Sequence, residues 1–446
     1  MFKRKAYEKL KKWKEKYSDN YSVLLEGARR VGKSTIAEEF AKNEYKSYIK
    51  IDFANLSKDI EPIFDDINEI DAFYLRLQAA TNIKLYEKQS VIIFDEIQLF
   101  PKVRQAIKYL VKDGRYNYIE TGSLISIKKN VKNILIPSEE YKIQINPLDY
   151  EEFLWAIGND NYDIIRELYK TGKPVGEELN NKLMRDLRLY IAIGGMPQVV
   201  SKYIESKNFD DVEFVKKSIL ELYNDDFRKI DNSGRISKLY NAIPSSLALN
   251  KKRFVLSNAL NKRTTNKDIE LLFDLVDSKT ILINYNILDP SIAFEQTKNI
   301  DSYKLFLSDT GLFVSMLLNN ENKTYKDIYL KLLGDKLPIN LGFVYENLVA
   351  QIITSFGLNL YFYYCKKDDS THYNEIDFLL PCGIKVVPFE VKSSNPKNHD
   401  SIDEFGKKYS NHVSKKYILS QKDVKREKEL YFRPIYMLPF ILEEMV

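Results

Sequence analysis

The chain has 446 residues, and its 68 Lys and Arg residues against 63 Asp and Glu residues give a net charge of +5. At about 150 residues per domain this length indicates roughly three domains. A hydrophobic share of 44% with only 16 Gly and 14 Pro excludes a disordered or fibrous chain, and the small basic excess excludes a polybasic nucleic-acid coat.

The first chemically informative segment lies between a predicted strand, residues 21–25, and a predicted helix. Two glycines bracket four residues, and Lys33 and Ser34 follow the second glycine, which is the pattern of a phosphate-binding P-loop (Walker A motif). Glycines allow main-chain N–H groups to converge on phosphates, and the helix N-terminus adds partial positive charge. We expect Lys33 to reach the β- and γ-phosphates of ATP and Ser34 to bind Mg²⁺. The residues predicted to bind the nucleotide are Gly27, Ala28, Arg29, Arg30, Val31, Gly32, Lys33, Ser34 and Thr35.

The next motif closes a second strand. Residues 91–94 form a continuous apolar run, typical of a strand covered on both faces, and Asp95 and Glu96 follow it. This is a Walker B pattern, in which Asp95 would hold Mg²⁺ and Glu96 would orient the attacking water as the catalytic carboxylate. A solvated strand end is the alternative.

A predicted helix runs from about residue 102 to 112 and is ended by Gly114. Another predicted strand follows it and ends at Thr121-Gly122-Ser123. Ser123 or Thr121 is predicted to sense the γ-phosphate, against the alternative of a simple turn. Arg115 is the best-placed arginine finger, a group that a neighbouring subunit often supplies in trans. The alternative role for Arg115 is to bind carbonyls at the helix end.

Two further motifs follow these in order, Asn-Pro-Leu-Asp-Tyr-Glu-Glu-Phe at 146–153 and Gly-Gly-Met-Pro at 194–197. With the P-loop, Asp95-Glu96-Ile97-Gln98 and Thr121-Gly122-Ser123, they make the chain similar to the prokaryotic AAA-type P-loop ATP-binding protein family. The C-terminal part of that family is a domain of unknown function that resembles the PD-(D/E)xK nuclease fold. The resemblance covers nearly the whole chain and implies an α/β protein with a RecA-like parallel sheet, binding ATP and Mg²⁺.

The predicted division of the chain has four parts. Residues 1–147 form the AAA-type ATPase domain with its N-terminal helix, and residues 148–248 form a helical lid. The Gly-Gly-Met-Pro motif within it is interpreted as a tight helix junction, with direct contact to the nucleotide as the alternative. Residues 249–335 are interpreted as a winged-helix domain with a capping box and a strand, 280–288, as the wing. Acidic residues on its would-be recognition helix favour a structural or protein-contacting role over DNA reading. Residues 336–446 form a restriction-endonuclease-like α/β domain.

This last domain holds a second set of candidate site residues. Glu346 lies on an apolar helix, Asp377 lies in a strand, and Glu390 and Lys392 share a strand face because they are two residues apart. The set resembles the Asp…Glu-x-Lys nuclease core, in which two carboxylates bind Mg²⁺ and the lysine helps activate water against a phosphodiester. The alternative is a nuclease-like fold that cuts nothing, with these charges as a structural remnant or an ion pair.

The cellular setting follows from composition. Two cysteines, Cys365 and Cys382, are too few for a disulfide scaffold and lack zinc-site spacing, and the N-terminus lacks the apolar core of a secretory signal. We expect a cytoplasmic protein without a membrane segment.

Three functional hypotheses result. The first is an Mg²⁺-dependent AAA-type ATPase that couples its nucleotide state to the nuclease-like domain. The second is an ATP-gated interaction module whose nuclease-like domain is inactive, and the third is an ATP-regulated DNA nuclease. The partners considered are ATP, DNA at the C-terminal domain, an unknown protein and a second copy of the chain.

Overall fold

The computed structural model of the protein describes residues 1–67, 69–122, 138–249, 251–318, 325–336, 342–366, 373–393, 396 and 398–446. The chain forms two units. The first comprises residues 1–147 with 277–279, and the second comprises residues 148–276 with 280–446.

The first unit is built on a five-stranded parallel sheet with the strand order β2-β3-β4-β1-β5. Every residue of β3 is buried, which explains the uninterrupted apolar run that precedes Asp95. Its elements are α1 (Lys5–Lys16), β1 (Ser22–Glu26), α2 (Lys33–Glu44), β2 (Ser47–Asp52), α3 (Ile70–Thr81), β3 (Ser90–Asp95), α4 (Pro101–Asp113), β4 (Asn117–Gly122) and β5 (Glu140–Gln144).

This arrangement confirms the prediction of an α/β fold with a parallel sheet. The carboxyl ends of β1 and β3 lie at the same sheet edge, separated by β4, and such edges are where open α/β sheets bind their ligands. The helix before β4 also ends where predicted. Gly114 adopts φ 74°, a conformation that favours glycine, and its N–H donates to Leu110 O.

The second unit begins with helices and continues into a mixed eight-stranded sheet. Its helical part contains α5 (Tyr150–Ala156), α6 (Tyr162–Thr171), α7 (Glu177–Ile193), α8 (Pro197–Ser206), α9 (Phe209–Ile230), α10 (Arg235–Asn241), α11 (Ile243–Ala248), α12 (Leu256–Leu260) and α13 (Asn266–Asp277). The remaining elements are β6 (Ile281–Ile287), α14 (Phe294–Thr297), β7 (Lys298–Leu307), α15 (Thr310–Leu317), α16 (Tyr325–Leu333), α17 (Gly342–Ser355), β8 (Leu360–Lys366), β9 (Tyr373–Cys382), β10 (Lys385–Val391), α18 (Asp400–Lys408), β11 (Lys416–Ser420), β12 (Lys425–Glu427), β13 (Leu430–Pro434) and α19 (Leu438–Glu443).

The strand order of the second sheet is β12-β13-β11-β10-β9-β8-β6-β7. Strand β9 is antiparallel to both β8 and β10, whereas β10 and β11 run parallel. Helix α18 makes the connection between these two parallel strands. The C-terminal elements therefore follow the order α17, β8, β9, β10, α18 and β11 around a shared sheet.

The predicted boundaries after residues 248 and 335 both fall inside the second unit, and the division into four domains stays a prediction. The strand interpreted as a wing is β6, which pairs antiparallel with β7 and parallel with β8 of the C-terminal segment. The hairpin is therefore part of the large sheet, and the winged-helix interpretation of residues 249–335 stays a prediction. Pairing between strands so distant in sequence leaves no mark on local hydrophobic periodicity.

The Gly-Gly-Met-Pro motif joins α7 to α8. Gly195 O accepts a hydrogen bond from Leu148 N at 2.7 Å, and Gly195 N donates to the buried carboxylate of Asp309 at 2.6 Å. A Cβ on Gly195 would lie 2.1 Å from Leu148 O. The motif thus serves the tight helix junction predicted for it, locked against two other segments.

No helix in the described part of the chain has both the length and the apolar character needed to cross a membrane.

Candidate functional site

The loop between β1 and α2 forms a tight backbone cradle. Gly27 lies so close to Ile145 that a Cβ would stand 2.2 Å from the carbonyl oxygen of Ile145. Gly32, at φ 94°, immediately precedes α2, and Arg30 also has a positive φ of 69°. The loop therefore depends on backbone conformations that most residues avoid, as expected where main-chain N–H groups turn inward to bind an anion.

Lys33 is the cation of this cradle. Its Nζ donates hydrogen bonds to Gly27 O at 3.1 Å and to Ala28 O at 2.9 Å, and the residue is only 5% exposed. Burial lowers the pKa of Lys33 to about 8, although the carboxylates of Glu96 and Asp95 act in the opposite direction. A phosphate group would replace the two carbonyl oxygens with a stronger partner for the ammonium.

Asp95, at the carboxyl end of β3, gathers polar groups from several elements. Ser34 Oγ donates to Asp95 Oδ1 at 2.6 Å, and Thr121 Oγ1 donates to the same oxygen. The Nζ of Lys50, from β2, lies 3.5 Å from Asp95 Oδ2 and 3.1 Å from Glu38 Oε2. The P-loop serine and the Walker B aspartate are therefore in direct contact.

Glu96 follows Asp95 in a left-handed conformation, with φ 57°. Its backbone N–H donates to Thr121 Oγ1 at 3.2 Å, and its side chain accepts a hydrogen bond from Gln98 Nε2. A non-glycine residue at positive φ costs about 1–2 kcal/mol, and such residues concentrate at functional sites. The backbone turn and the Gln98 amide together fix the direction of the Glu96 carboxylate.

A second cleft lies in the second unit and has a volume of about 460 Å³. Glu346 from α17, Asp377 from β9, and Glu390 and Lys392 at the end of β10 all line it. Lys392 Nζ lies 2.5 Å from Glu390 Oε1, and Asp377 Oδ2 accepts a hydrogen bond from Val391 N at 2.8 Å. The four residues that the sequence singled out are therefore brought together.

Further charged residues contribute to this cleft. Lys304 Nζ, from β7, lies 2.8 Å from Glu375 Oε1 and 3.5 Å from Glu346 Oε2, and Lys252 also contacts Glu375. Burial opposes a charge on Lys304, but the carboxylates of Glu346 and Glu375 outweigh it and raise the pKa of Lys304. Burial, reinforced by Glu346, raises the pKa of Asp377 well above its usual range.

Comparison with known families divides the chain into three matched segments. Residues 19–154 match a family described as "AAA domain". Residues 19–154 are an AAA-type P-loop ATPase domain. Residues 184–323 and 341–438 match two domains of unknown function, DUF8612 and DUF4143. No curated protein matches the chain.

Several solved structures are similar at low identity. RuvB from Thermotoga maritima is 15% identical, with 59% of this chain and 83% of that chain covered and a TM-score of 0.29. Cdc6p from Pyrobaculum aerophilum is 14% identical, with 74% and 94% covered and a TM-score of 0.23. A signal-transduction ATPase with numerous domains (STAND) and a tetratricopeptide-repeat sensor, from Pyrococcus horikoshii, is 15% identical, with 76% and 47% covered and a TM-score of 0.26.

The AAA domain has a donor set that fits Mg²⁺. Mg²⁺ in nucleotide sites is held by one or two protein oxygens, with phosphate and water completing the shell. Ser34 Oγ, in the first turn of α2, and Asp95 Oδ1, at the end of β3, are 2.6 Å apart, and both are oxygen ligands of the type that Mg²⁺ prefers. Among the described residues no group of three or more His, Cys, Asp or Glu side chains is arranged to hold a metal.

Two predicted residues of the AAA domain lie away from this site or outside the described residues. Arg115 precedes the amino end of β4, the sheet edge opposite the P-loop, and is paired with Asp113 at 2.9 Å and Asp71 at 2.7 Å. It therefore does not reach the P-loop of its own chain, and its role as a finger in trans stays a prediction. Ser123 lies outside the described residues, whereas Thr121, the other candidate, donates a hydrogen bond to Asp95.

Sequence patterns missed several residues of the two sites, among them Lys50, Gln98 and Lys304. Gln98 stands within the quoted Asp-Glu-Ile-Gln motif, but nothing local indicates that its amide holds Glu96. One feature of the sequence could have indicated Lys304. It directly precedes the apolar run 305–307 of β7, and a lysine that is buried with such a run needs a charged partner.

Proposed function

We propose that this protein binds ATP with Mg²⁺ in its AAA domain and hydrolyses it, with Glu96 directing the attacking water. The observation that carries the proposal is the contact of Ser34 and Thr121 with a single oxygen of Asp95, next to Lys33 and Glu96. The contact supports a role for Lys33 in binding phosphate, for Ser34 and Asp95 in binding Mg²⁺, and for Glu96 as the general base. The family match of residues 19–154 supports it.

Each residue has a distinct part in the proposed reaction. Lys33 exchanges its bonds to Gly27 O and Ala28 O for phosphate oxygens, and Ser34 and Asp95 hold the metal. Bound Mg²⁺ neutralises charge on the phosphate oxygens. Glu96, held by Gln98, accepts a proton from the attacking water at its carboxylate.

ATP turnover by Glu96→Gln tests this proposal. The substitution keeps the size of the side chain but removes the base, so we expect turnover to be lost while a fluorescent ATP analogue still binds. Glu87→Gln, at an exposed position of the same unit, is the matched control and should keep wild-type turnover. Turnover by Glu96→Gln at the wild-type rate would remove Glu96 from the mechanism.

We further propose that the nucleotide state is coupled to the second unit, whose cleft is nuclease-like. The order α17, β8, β9, β10, α18, β11 and the convergence of Glu346, Asp377, Glu390 and Lys392 support this view of the cleft. The coupled output is either an ATP-gated interaction with a protein partner or another copy of the chain, or cleavage of DNA.

A DNA assay separates these two outputs. Supercoiled and linear DNA are incubated with Mg²⁺ or Mn²⁺, with and without ATP, using wild-type protein and Glu390→Ala. Cleavage by the wild type that disappears in Glu390→Ala supports a nuclease. No cleavage under any condition removes that output and leaves the interaction module.

A further inference from the structure

The carboxylates of the second cleft are already neutralised by lysines. Around the cleft, the described carboxylates are Glu346, Glu375, Asp377 and Glu390, and the lysines within contact of them are Lys252, Lys304 and Lys392. A divalent cation needs carboxylate oxygens that carry uncompensated negative charge. With four acids against three ammonium groups, little of that charge remains.

Lys304 differs from the other two lysines in how firmly it is fixed. Its side chain is 6% exposed, whereas the side chains of Lys252 and Lys392 are 43% and 28% exposed. It is also the lysine that bridges two elements, reaching Glu346 on α17 and Glu375 on β9. Exposed lysines can turn into solvent when a ligand enters, but a buried one between two carboxylates cannot leave without exposing uncompensated charge.

Most carboxylate oxygens of the cleft already face a cation or a backbone donor: of the eight oxygens of these four acidic residues, five lie against a lysine or a backbone N–H. Glu390 Oε1 is bound to Lys392, while Glu390 Oε2 is buried and has no hydrogen-bond partner among the residues that the structure describes. Asp377 already accepts from Val391 N, and Glu346 is held by Lys304. Consistently, the described residues contain no group of three acidic or histidine side chains arranged around a metal position. As built, the cleft does not fit the divalent cation that a nuclease core requires.

We infer that Lys304 is a built-in counter-ion that takes the place of a divalent cation in the second cleft. The inference rests on the proposal that this cleft is nuclease-like, but not on ATP hydrolysis by the AAA domain. The inference predicts that a variant without this lysine gains a metal site. Removing the charge of Lys304 releases Glu346 and Glu375 and leaves four acids against two lysines, which together with the free oxygen of Glu390 favours a metal.

Mn²⁺ binding, measured by electron paramagnetic resonance on nucleotide-free full-length protein, tests the inference. The proteins are wild type and Lys304→Met, each with and without Asp377→Asn, so that binding outside the cleft is subtracted. Methionine has a similar length and no charge. We expect wild type and Asp377→Asn to bind Mn²⁺ with equal affinity. Lys304→Met should gain a site that binds Mn²⁺ at least about tenfold more tightly than the wild type does. The double variant that also carries Asp377→Asn should lack this site.

Two controls keep the outcomes distinct. Lys304→Arg retains the charge and should gain no site, and thermal unfolding shows whether each variant is folded. ATP turnover should be the same in Lys304→Met and the wild type. If neither protein hydrolyses ATP, that result concerns the AAA domain alone and not the role of Lys304.

The inference is overturned if Asp377→Asn or Glu390→Gln weakens Mn²⁺ binding by the otherwise wild-type protein about tenfold, a result that needs no Lys304 variant. It is equally overturned if folded Lys304→Met gains no Mn²⁺ site.

Discussion

The Ser34 hydroxyl donates a hydrogen bond to Asp95 Oδ1 at 2.6 Å and so joins the P-loop helix directly to the end of β3. Two residues that are distant in sequence thereby present oxygens at one point, next to the buried Lys33. A magnesium ion held by the nucleotide phosphates needs such a pair of oxygens. The contact is the structural basis of the first prediction.

Ser34→Ala should reduce the Mg²⁺-dependent part of ATP affinity. Loss of a polar contact to a charged partner costs about 1.5–3 kcal/mol, which corresponds to roughly a tenfold to hundredfold weaker Kd. Titration with a fluorescent ATP analogue, with Mg²⁺ and with EDTA, measures the effect. Ser57→Ala, at an exposed position of the same unit, should leave the Kd unchanged. Equal Kd values for Ser34→Ala and wild type in Mg²⁺ would exclude Ser34 as a ligand.

ATP affinity should fall as the pH rises through about 8. Burial lowers the pKa of Lys33 to about 8 in the free protein. Bound phosphate favours the ammonium form, so the Lys33 pKa is higher in the complex. Binding is therefore strongest below this pH and weakens above it by up to about tenfold per pH unit. Lys33→Arg, which stays charged, should bind with a pH-independent Kd over the same range, and a flat wild-type profile would contradict the prediction.

Thr121→Val should lower kcat by about tenfold to a hundredfold, because the valine removes both the donor to Asp95 and the acceptor for Glu96 N. The two side chains have nearly the same shape, so packing changes little. Thr121→Ser retains the hydroxyl and should keep kcat near the wild-type value. Steady-state ATP turnover by wild type, Thr121→Val and Thr121→Ser gives the three kcat values. A wild-type kcat for Thr121→Val would mean that the hydroxyl does not position the carboxylates of Asp95 and Glu96.

Sequence patterns predicted those parts of the AAA domain whose candidate functional residues are adjacent in the sequence. The P-loop and the Walker B strand each combine chemistry with a local strand or helix signal, so Lys33, Ser34, Asp95 and Glu96 could be named without knowing the fold. Their predicted catalytic and metal-binding roles remain predictions. What the patterns could not give is contact between distant segments, such as the hydrogen bond from Thr121 to Asp95.

The same limit applies to the second unit. Residues 305–312, Leu-Phe-Leu-Ser-Asp-Thr-Gly-Leu, form a conspicuous segment with no evident chemistry, and the structure gives Asp309 a structural task. Its carboxylate accepts from Leu312 N at the start of α15 and from Gly195 N in the α7–α8 junction. Lys304 was missed for a related reason, since its partners Glu346 and Glu375 lie on elements that follow it in the chain.

Gly194→Ala should destabilise the second unit by about 2–4 kcal/mol. Gly194 has φ 84° and ψ −174°, a region open almost only to glycine, and a Cβ would lie 2.4 Å from Asp309 Oδ1. Gly172 also has a positive φ, 68°, but has open space around it, so Gly172→Ala should cost only about 1 kcal/mol. Urea unfolding of both variants measures the difference, and equal losses would contradict the added cost expected from the Gly194 backbone and the Asp309 contact.

Glu120→Gln should stabilise the AAA domain at alkaline pH and not at acidic pH. Glu120 is fully buried on β4, and Ser22 Oγ donates to its Oε1 at 2.7 Å, while its Oε2 has no hydrogen-bond partner within the described part of the chain. Burial, with the charge of Glu140 adding to it, raises the pKa of Glu120 to about 8. Because the folded protein holds this proton more tightly than the unfolded chain, wild-type stability falls as the pH rises from about 4.5 towards 8.

Glutamine is neutral at every pH and keeps an oxygen for the Ser22 hydroxyl, so the variant escapes that loss. At pH of about 8 the Gln variant should unfold with a free energy about 1–3 kcal/mol higher than wild type, and the two should converge near pH 5. Urea unfolding at both pH values measures this, with Glu87→Gln as a neutral control for the loss of one surface charge. A Gln variant less stable than wild type at pH 8 would mean that the Glu120 carboxylate is needed in its charged form, as a partner of Arg104 beside Glu140.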